Sequence, residues 1–350
     1  MQYAAVVLTL LLCLSAGALL AAPAPLPEGP GLAAKYPGDK GIEKDPSVVL
    51  AESFEAKDVA ALKARWTDIK NEEGGALFLD QTAPAGSAGR HSLRVTATRG
   101  KNSGGYVFRV LKPGYDQLFF RFYVKFAEDY GFDHHFCSLS GEINPPPYPV
   151  GRAGIRPENT WGTGIEPTTE SPQTYPAKVF PPPGIWHFYT YWPEMRSYEH
   201  EDGTGTKCYG NDFEPETPVV APRNRWICVE IMVKMNSAPD KTDGEQALWI
   251  DGKLVGRFAP GVPTGYWFRD VYHNNRGEKG KPFEGMRWRH DMKVDINKVK
   301  LENYVSDEVF QRTEDYARQH PDFRINTKEA TVWFDQVVVS RKYVGPIKAR

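Results

Sequence analysis

Between Trp226 and Gly252 the hydrophobic and polar positions alternate with a period of two. Ile227, Val229, Ile231, Val233 and Met235 fall on one face; Trp226, Cys228, Glu230, Met232, Lys234 and Asn236 fall on the other. This spacing predicts a β-strand with one face in a core and a mixed opposite face. Asp243-Gly244 and Asp251-Gly252 are turn signals. The chain therefore returns through Ala247-Leu248-Trp249-Ile250 as the second strand of an antiparallel pair, with Trp249 in the core. Two more stretches alternate as clearly. Leu118, Phe120, Phe122, Val124 and Phe126 oppose Phe119, Arg121, Tyr123 and Lys125. Trp186, Phe188, Thr190 and Trp192 oppose His187, Tyr189 and Tyr191. Shorter strands are expected at 47–54, 76–79, 92–98, 105–110 and 330–340. One helix is predicted over 306–319, capped by Ser306, with acidic residues in its first turn and Pro321 after its end. A turn or two of helix capped by Asp58 is expected at 58–65.

Aromatic residues make up 13% of the chain, with 29 Pro and 32 Gly. Many aromatics with many turn residues favour an all-β chain with long loops. The longest loops span 142–183, 198–222 and 265–295. Strands near both termini and few helices predict a two-sheet antiparallel β-sandwich or jelly roll with one or two short helices. The apolar run 4–20, followed by small residues and Pro, reads as a signal peptide over 1–22. That implies a secreted, extracellular or periplasmic location and no membrane association after cleavage. Residues 23–45 read as a Pro/Gly-rich linker, and 46–350 as a single domain. The formal net charge of −1 gives no electrostatic footprint for a nucleic-acid partner. Cys137, Cys208 and Cys228 follow the signal, an odd number that permits at most one disulfide, with Cys208–Cys228 the expected pair. Neither a CxxC nor an HExxH spacing is present, so no metal site is expected.

The run Trp226-Ile-Cys-Val-Glu-Ile-Met-Val-Lys-Met-Asn with Leu248-Trp-Ile-Asp-Gly resembles the central strands of concanavalin A-like jelly rolls. Within that superfamily it is similar to the polysaccharide-lyase branch that includes alginate and glucuronan lyases. The ending Trp333-Phe-Asp-Gln-Val-Val-Val-Ser-Arg-Lys-Tyr-Val-Gly-Pro-Ile resembles the closing strand of the same group. The resemblance covers about a third of the chain. It implies a polysaccharide ligand, no required cofactor, and a fold on which a structural calcium ion is common. Two signatures are absent: the Glu-x-Asp-x-x-Glu carboxylates of laminarinase-type hydrolases and the Gln-x-His strand of classical alginate lyases.

The polar faces carry chemistry suited to β-elimination from a uronate-containing glycan. This reaction needs a donor that stabilises charge on the uronate carboxyl, a base for the C5 proton, and an acid for the departing oxygen. If the three strands share one curved sheet, Arg121 or Lys234 is the expected carboxylate stabiliser. His187 with Tyr189 or Tyr123 are then the acid/base groups. Lys125, Tyr191, Glu230, Asn236, His134, His135 and Trp161 are candidate substrate contacts. On a solvated sheet, Arg121, Lys125, Glu230 and Lys234 would instead form cross-strand ion pairs. A non-catalytic carbohydrate-binding protein is the alternative. A glycoside hydrolase is the third reading and requires Glu230 to face a second carboxylate.

Overall fold

A computed structural model describes residues 23–171, 178–274 and 280–348. The expected signal segment and residues 172–177 of the expected loop 142–183 lie outside them. Two large sheets pack face to face. The back sheet is eight-stranded and runs, by neighbour, Lys253–Phe258, Glu245–Ile250, Ile227–Lys234, Gln117–Phe126, Glu329–Ser340, Ser92–Thr98 and Leu77–Asp80. Val48–Glu52 is added on Glu329–Ser340. The front sheet is ten-stranded and centres on Asn211–Phe213, Ile185–Tyr191, Thr160–Thr168, Cys137–Glu142, Ile296–Tyr304 and Gly104–Tyr115. The all-β jelly-roll expectation holds.

The alternating strands define the core as their pattern requires. Phe120, Phe122, Val124, Ile227, Val229, Ile231 and Val233 point inward from the back sheet. Trp186, Phe188, Leu139, Ile165, Val299 and Leu301 point inward from the front sheet. Between the sheets, the Thr163 hydroxyl of the front sheet donates to the Gln246 side-chain carbonyl of the back sheet at 3.0 Å. At the hairpin end, Asp251 (φ 50°) and Gly252 (φ 81°) hold the left-handed conformations of a tight two-residue turn. The one α-helix among the described residues is Asp307–Gln319, and the Ser306 side chain accepts the Val309 N–H. The shorter expected helix is a 3₁₀ segment, Ala60–Ala64, with Asp58 accepting the Ala61 N–H. No helix among the described residues is long and apolar enough to cross a membrane.

The segment 23–45, expected as a linker, is folded onto the outer face of the back sheet. Leu32, Ala33 and Ile42 are buried there against Val338 and Val344. Trp249 is buried as expected, though on this outer face. It packs on Phe119 and Tyr343, and its indole N–H donates to the Pro27 carbonyl at 2.7 Å. The expected disulfide is absent: Cys137, Cys208 and Cys228 are all free thiols. Cys228 sits beside Tyr123 on the back sheet, while Cys208 pairs through its backbone with Gly154 in a loop.

Candidate functional site

The front sheet turns its second face outward, and the strand period decides what stands on it. His187, Tyr189 and Tyr191 face out because Trp186, Phe188 and Thr190 face in. By the same rule Gly162, Gly164 and Glu166 face out beside them. Ser138 and Ser140 follow, then Lys298 and Lys300. All of these except His187 line a groove of about 250 Å³, with His135 and Arg152 on its walls. The register puts Tyr189 opposite Gly164, and Tyr191 opposite Gly162. A Cβ built at Gly164 would meet nothing nearer than Glu166 Oε2 at 3.5 Å. The glycines and serines thus form a low floor between a wall of tyrosine and histidine and a wall of cations.

On the first wall, charge alternates through four side chains. Asp212 pairs with His187 Nδ1. His187 Nε2 lies 3.8 Å from Glu166 Oε1, and Glu166 Oε2 lies 3.4 Å from His135 Nδ1. Burial disfavours a charged His187, but Asp212 and Glu166 outweigh it and push its pKa up to about 9. Burial raises the Glu166 carboxyl, and the two histidines more than reverse this, so it stays an anion below its ordinary range. His135 is raised by the same carboxylate, against burial. His135 is also held by its backbone, which exchanges hydrogen bonds with Tyr304 at 3.2 and 3.0 Å. The rings of His134 and Tyr304 stack on it at 4.4 and 6.0 Å.

Tyr189 lies 5.5 Å from the His135 ring, centroid to centroid. Burial and a hydrogen bond to Tyr191 raise its pKa, so its hydroxyl stays protonated. Its ring rests on Gly210, where an added Cβ would stand 2.4 Å from ring carbons. Only glycine leaves that space. On the opposite wall, Glu142 bridges Lys298 (3.1 Å) and Arg152 (2.8 Å), and Lys300 pairs with Glu302. Burial lowers the Lys298 pKa, and Glu142 partly offsets this.

The expected residues divide between the two sheets. Tyr189, Tyr191 and His135 line the groove, while His134 stands behind it against the His135 ring and His187 behind it between Asp212 and Glu166. Trp161 closes its floor from within, buried against Trp288 at 4.9 Å. The condition for a shared groove, that the three polar strands lie in one sheet, is not met. Arg121, Tyr123, Lys125, Glu230 and Lys234 belong to the back sheet, with the whole core between them and the groove. Arg121 is fully buried, bound to Asp39 and to the Gln336 carbonyl. Tyr123 accepts the Ile347 N–H at 2.8 Å. Glu230 accepts the Val344 and Gly345 N–H groups at 2.7 and 2.8 Å and faces no second carboxylate among the described residues. Lys234 forms a cross-strand ion pair with Glu245 at 2.9 Å. Asn236 is buried and fastens Arg289 through its backbone. His187 also differs from expectation in its surroundings: both ring nitrogens face carboxylates and the side chain is only 6% exposed.

Glu166, Lys298, Lys300 and Arg152 were not anticipated. The strand Ile296–Tyr304 carries a legible signal, since Lys298, Lys300 and Glu302 alternate with Val299 and Leu301. Glu166 has no such signal, because the positions before it on its face are glycines. Among the described residues no group of three or more His, Cys, Asp or Glu side chains is arranged to hold a metal ion.

No protein-family model matches the chain. No curated protein matches it either. Solved structures do share the fold. An alginate lyase from Chlorella virus superposes with a TM-score of 0.51 at 12% identity, covering 85% of this chain and 100% of its own. A marine alginate lyase from Aplysia kurodai superposes with a TM-score of 0.52 at 12% identity, covering 83% of this chain and 98% of its own.

Proposed function

We propose that the protein is a polysaccharide lyase that cleaves a uronate-containing glycan by β-elimination in the front-sheet groove. The observation that carries this reading is the placement of Tyr189 beside His135, with Glu166 behind the imidazole and three cations across a glycine floor. His135 presents Nε2 as the ring nitrogen without a carboxylate partner among the described residues, so it is assigned as base for the C5 proton. Glu166 orients the ring and stabilises the imidazolium that forms. Tyr189, kept neutral, donates its proton to the glycosidic oxygen as the C4–O bond breaks and the C4–C5 double bond forms. Arg152, Lys298 and Lys300 bind the uronate carboxylate and stabilise the charge that builds on it. His187 is assigned as the buried cation that holds Glu166 ionised. The fold neighbours are alginate lyases, which makes a polyuronate the first substrate class to test.

The test is ultraviolet absorbance of the unsaturated uronate product, with alginate, glucuronan, pectate and glycosaminoglycans as substrates. We expect a rise with one of these, and a loss of at least about a hundredfold in kcat for Tyr189→Phe and for His135→Asn, with the thermal unfolding midpoint unchanged. Absence of a rise with every polymer, or full activity in both variants, overturns the proposal.

A further inference from the structure

Lys125 was singled out by the strand pattern, yet the groove does not use it. Its surroundings on the back sheet form a row. Trp333 stands opposite Lys125 on one side and opposite Arg94 on the other, and Arg94 stands opposite Phe78. Trp226, next to the strand that pairs with Gln117–Phe126, completes the row. The Lys125 ammonium lies 5.5 Å from the Trp226 ring and 4.5 Å from the Trp333 ring, and the Arg94 guanidinium lies 4.3 Å from the Phe78 ring. Aromatic and cationic side chains thus alternate across five neighbouring strands, a span of about 19 Å. All five are half-buried and keep a face in solvent.

The charges on this row are not balanced. Asp80 accepts from the Trp333 indole at 2.9 Å and pairs with Arg94 at 3.3 Å. Lys125 has only the Thr82 hydroxyl, at 3.3 Å, and no carboxylate in ion-pair range among the described residues. Beside the row lies a second hollow of about 440 Å³, walled by Phe78, Arg94 and Trp333 and floored by Thr96 and Thr331. Glu329 stands opposite Thr98, four register pairs along from the Trp333–Arg94 pair. It makes that end acidic.

We propose that this row is a second, non-catalytic glycan-binding surface that holds an acidic polysaccharide on the face opposite the groove. Sugar rings lie on the Trp333 and Phe78 faces, where flat apolar surface meets their C–H groups. The unpaired Lys125, with Arg94, takes a uronate carboxylate. The acidic far end directs that carboxylate toward the cations. The choice of an acidic glycan rests in part on the lyase reading, through the substrate class; the surface itself does not.

The test is native electrophoresis of the full chain in gels containing polyglucuronate, alginate or neutral hydroxyethylcellulose. A Tyr189→Phe background prevents turnover, so retention by the groove is common to every sample. We expect retardation by a polyuronate to weaken about three- to fivefold in Lys125→Gln, and further in Trp333→Ala and Phe78→Ala. Wild-type mobility of these variants in hydroxyethylcellulose, and unchanged turnover of a short oligouronate when Tyr189 is intact, complete the expected result. Equal retardation of Lys125→Gln, Phe78→Ala and the parent overturns the proposal, as does neutral-polymer binding of equal strength that ignores Lys125. A failed lyase reading is seen separately, as no absorbance change with the wild-type chain, and leaves the electrophoretic comparison standing.

Discussion

His187 shows how a residue with the right chemistry can be placed for a different task. Its strand puts it on the groove face, but Asp212 and Glu166 take both ring nitrogens and leave it 6% exposed. Its raised pKa is then a statement about stability. The free imidazole titrates at 6.5 and the folded one at about 9. The folded state is therefore favoured most below pH 6.5, and the contribution is lost as the pH rises from 6.5 through about 9. From the size of this shift the loss is about 3 kcal/mol. Urea unfolding of the wild-type protein between pH 6 and pH 10 should show that decline. His187→Gln should begin less stable and show a flatter profile. A wild-type stability that is level across this range would mean that the imidazole is neutral in the fold, and that Glu166 is held by other groups.

At the scale of the strand, two glycines in one part of the front sheet do opposite things. A Cβ at Gly141 would stand 1.7 Å from the Asp295 carbonyl oxygen, so that position is closed by backbone. At Gly164 the same atom enters the open floor of the groove. We expect Gly164→Val to keep stability within about 1 kcal/mol, since branched residues suit a strand. It should also lower kcat/KM at least tenfold by filling the place of the sugar. Gly141→Ala should lower the unfolding midpoint instead. Calorimetry and the absorbance assay on the same two proteins check both expectations, and a Gly164→Val protein with normal turnover would move the substrate off this floor. These elements also show what the sequence made legible. The strands Gln117–Phe126, Ile227–Lys234 and Ile185–Tyr191 alternate strictly, so their faces could be assigned. Which sheet each joins depends on pairing between residues far apart in the chain, as of Phe119 with Ser340, which no local pattern encodes. Arg121 and His187 were therefore assigned to one groove. The wall formed by Lys298 and Lys300 was readable by the same rule, whereas Glu166 follows glycines that carry no periodic signal.

Across the whole molecule the two outer faces have separate duties. The front face is open and carries the groove. Much of the back face is closed by the chain ends, and the closure is anchored by a buried charge. Arg121 meets Asp39 from the N-terminal segment and the Gln336 carbonyl, which is turned toward it by a bulge where Gln336 adopts φ 47°. Leu32 and Ile42 bury their side chains on either side of Asp39 in sequence. Asp39→Ala removes the partner of a fully buried guanidinium, which should cost about 3–5 kcal/mol. Asp39→Leu combined with Arg121→Met replaces the pair with apolar groups of similar reach and should recover most of that loss. Neither change touches the groove, so turnover per folded molecule should stay at the wild-type value at a temperature where both variants are folded. Denaturant unfolding and the absorbance assay measure the two quantities independently. A fall in turnover that tracks the fall in stability, at full folding, would mean that the sheets are coupled through the core and that the back face helps to shape the groove.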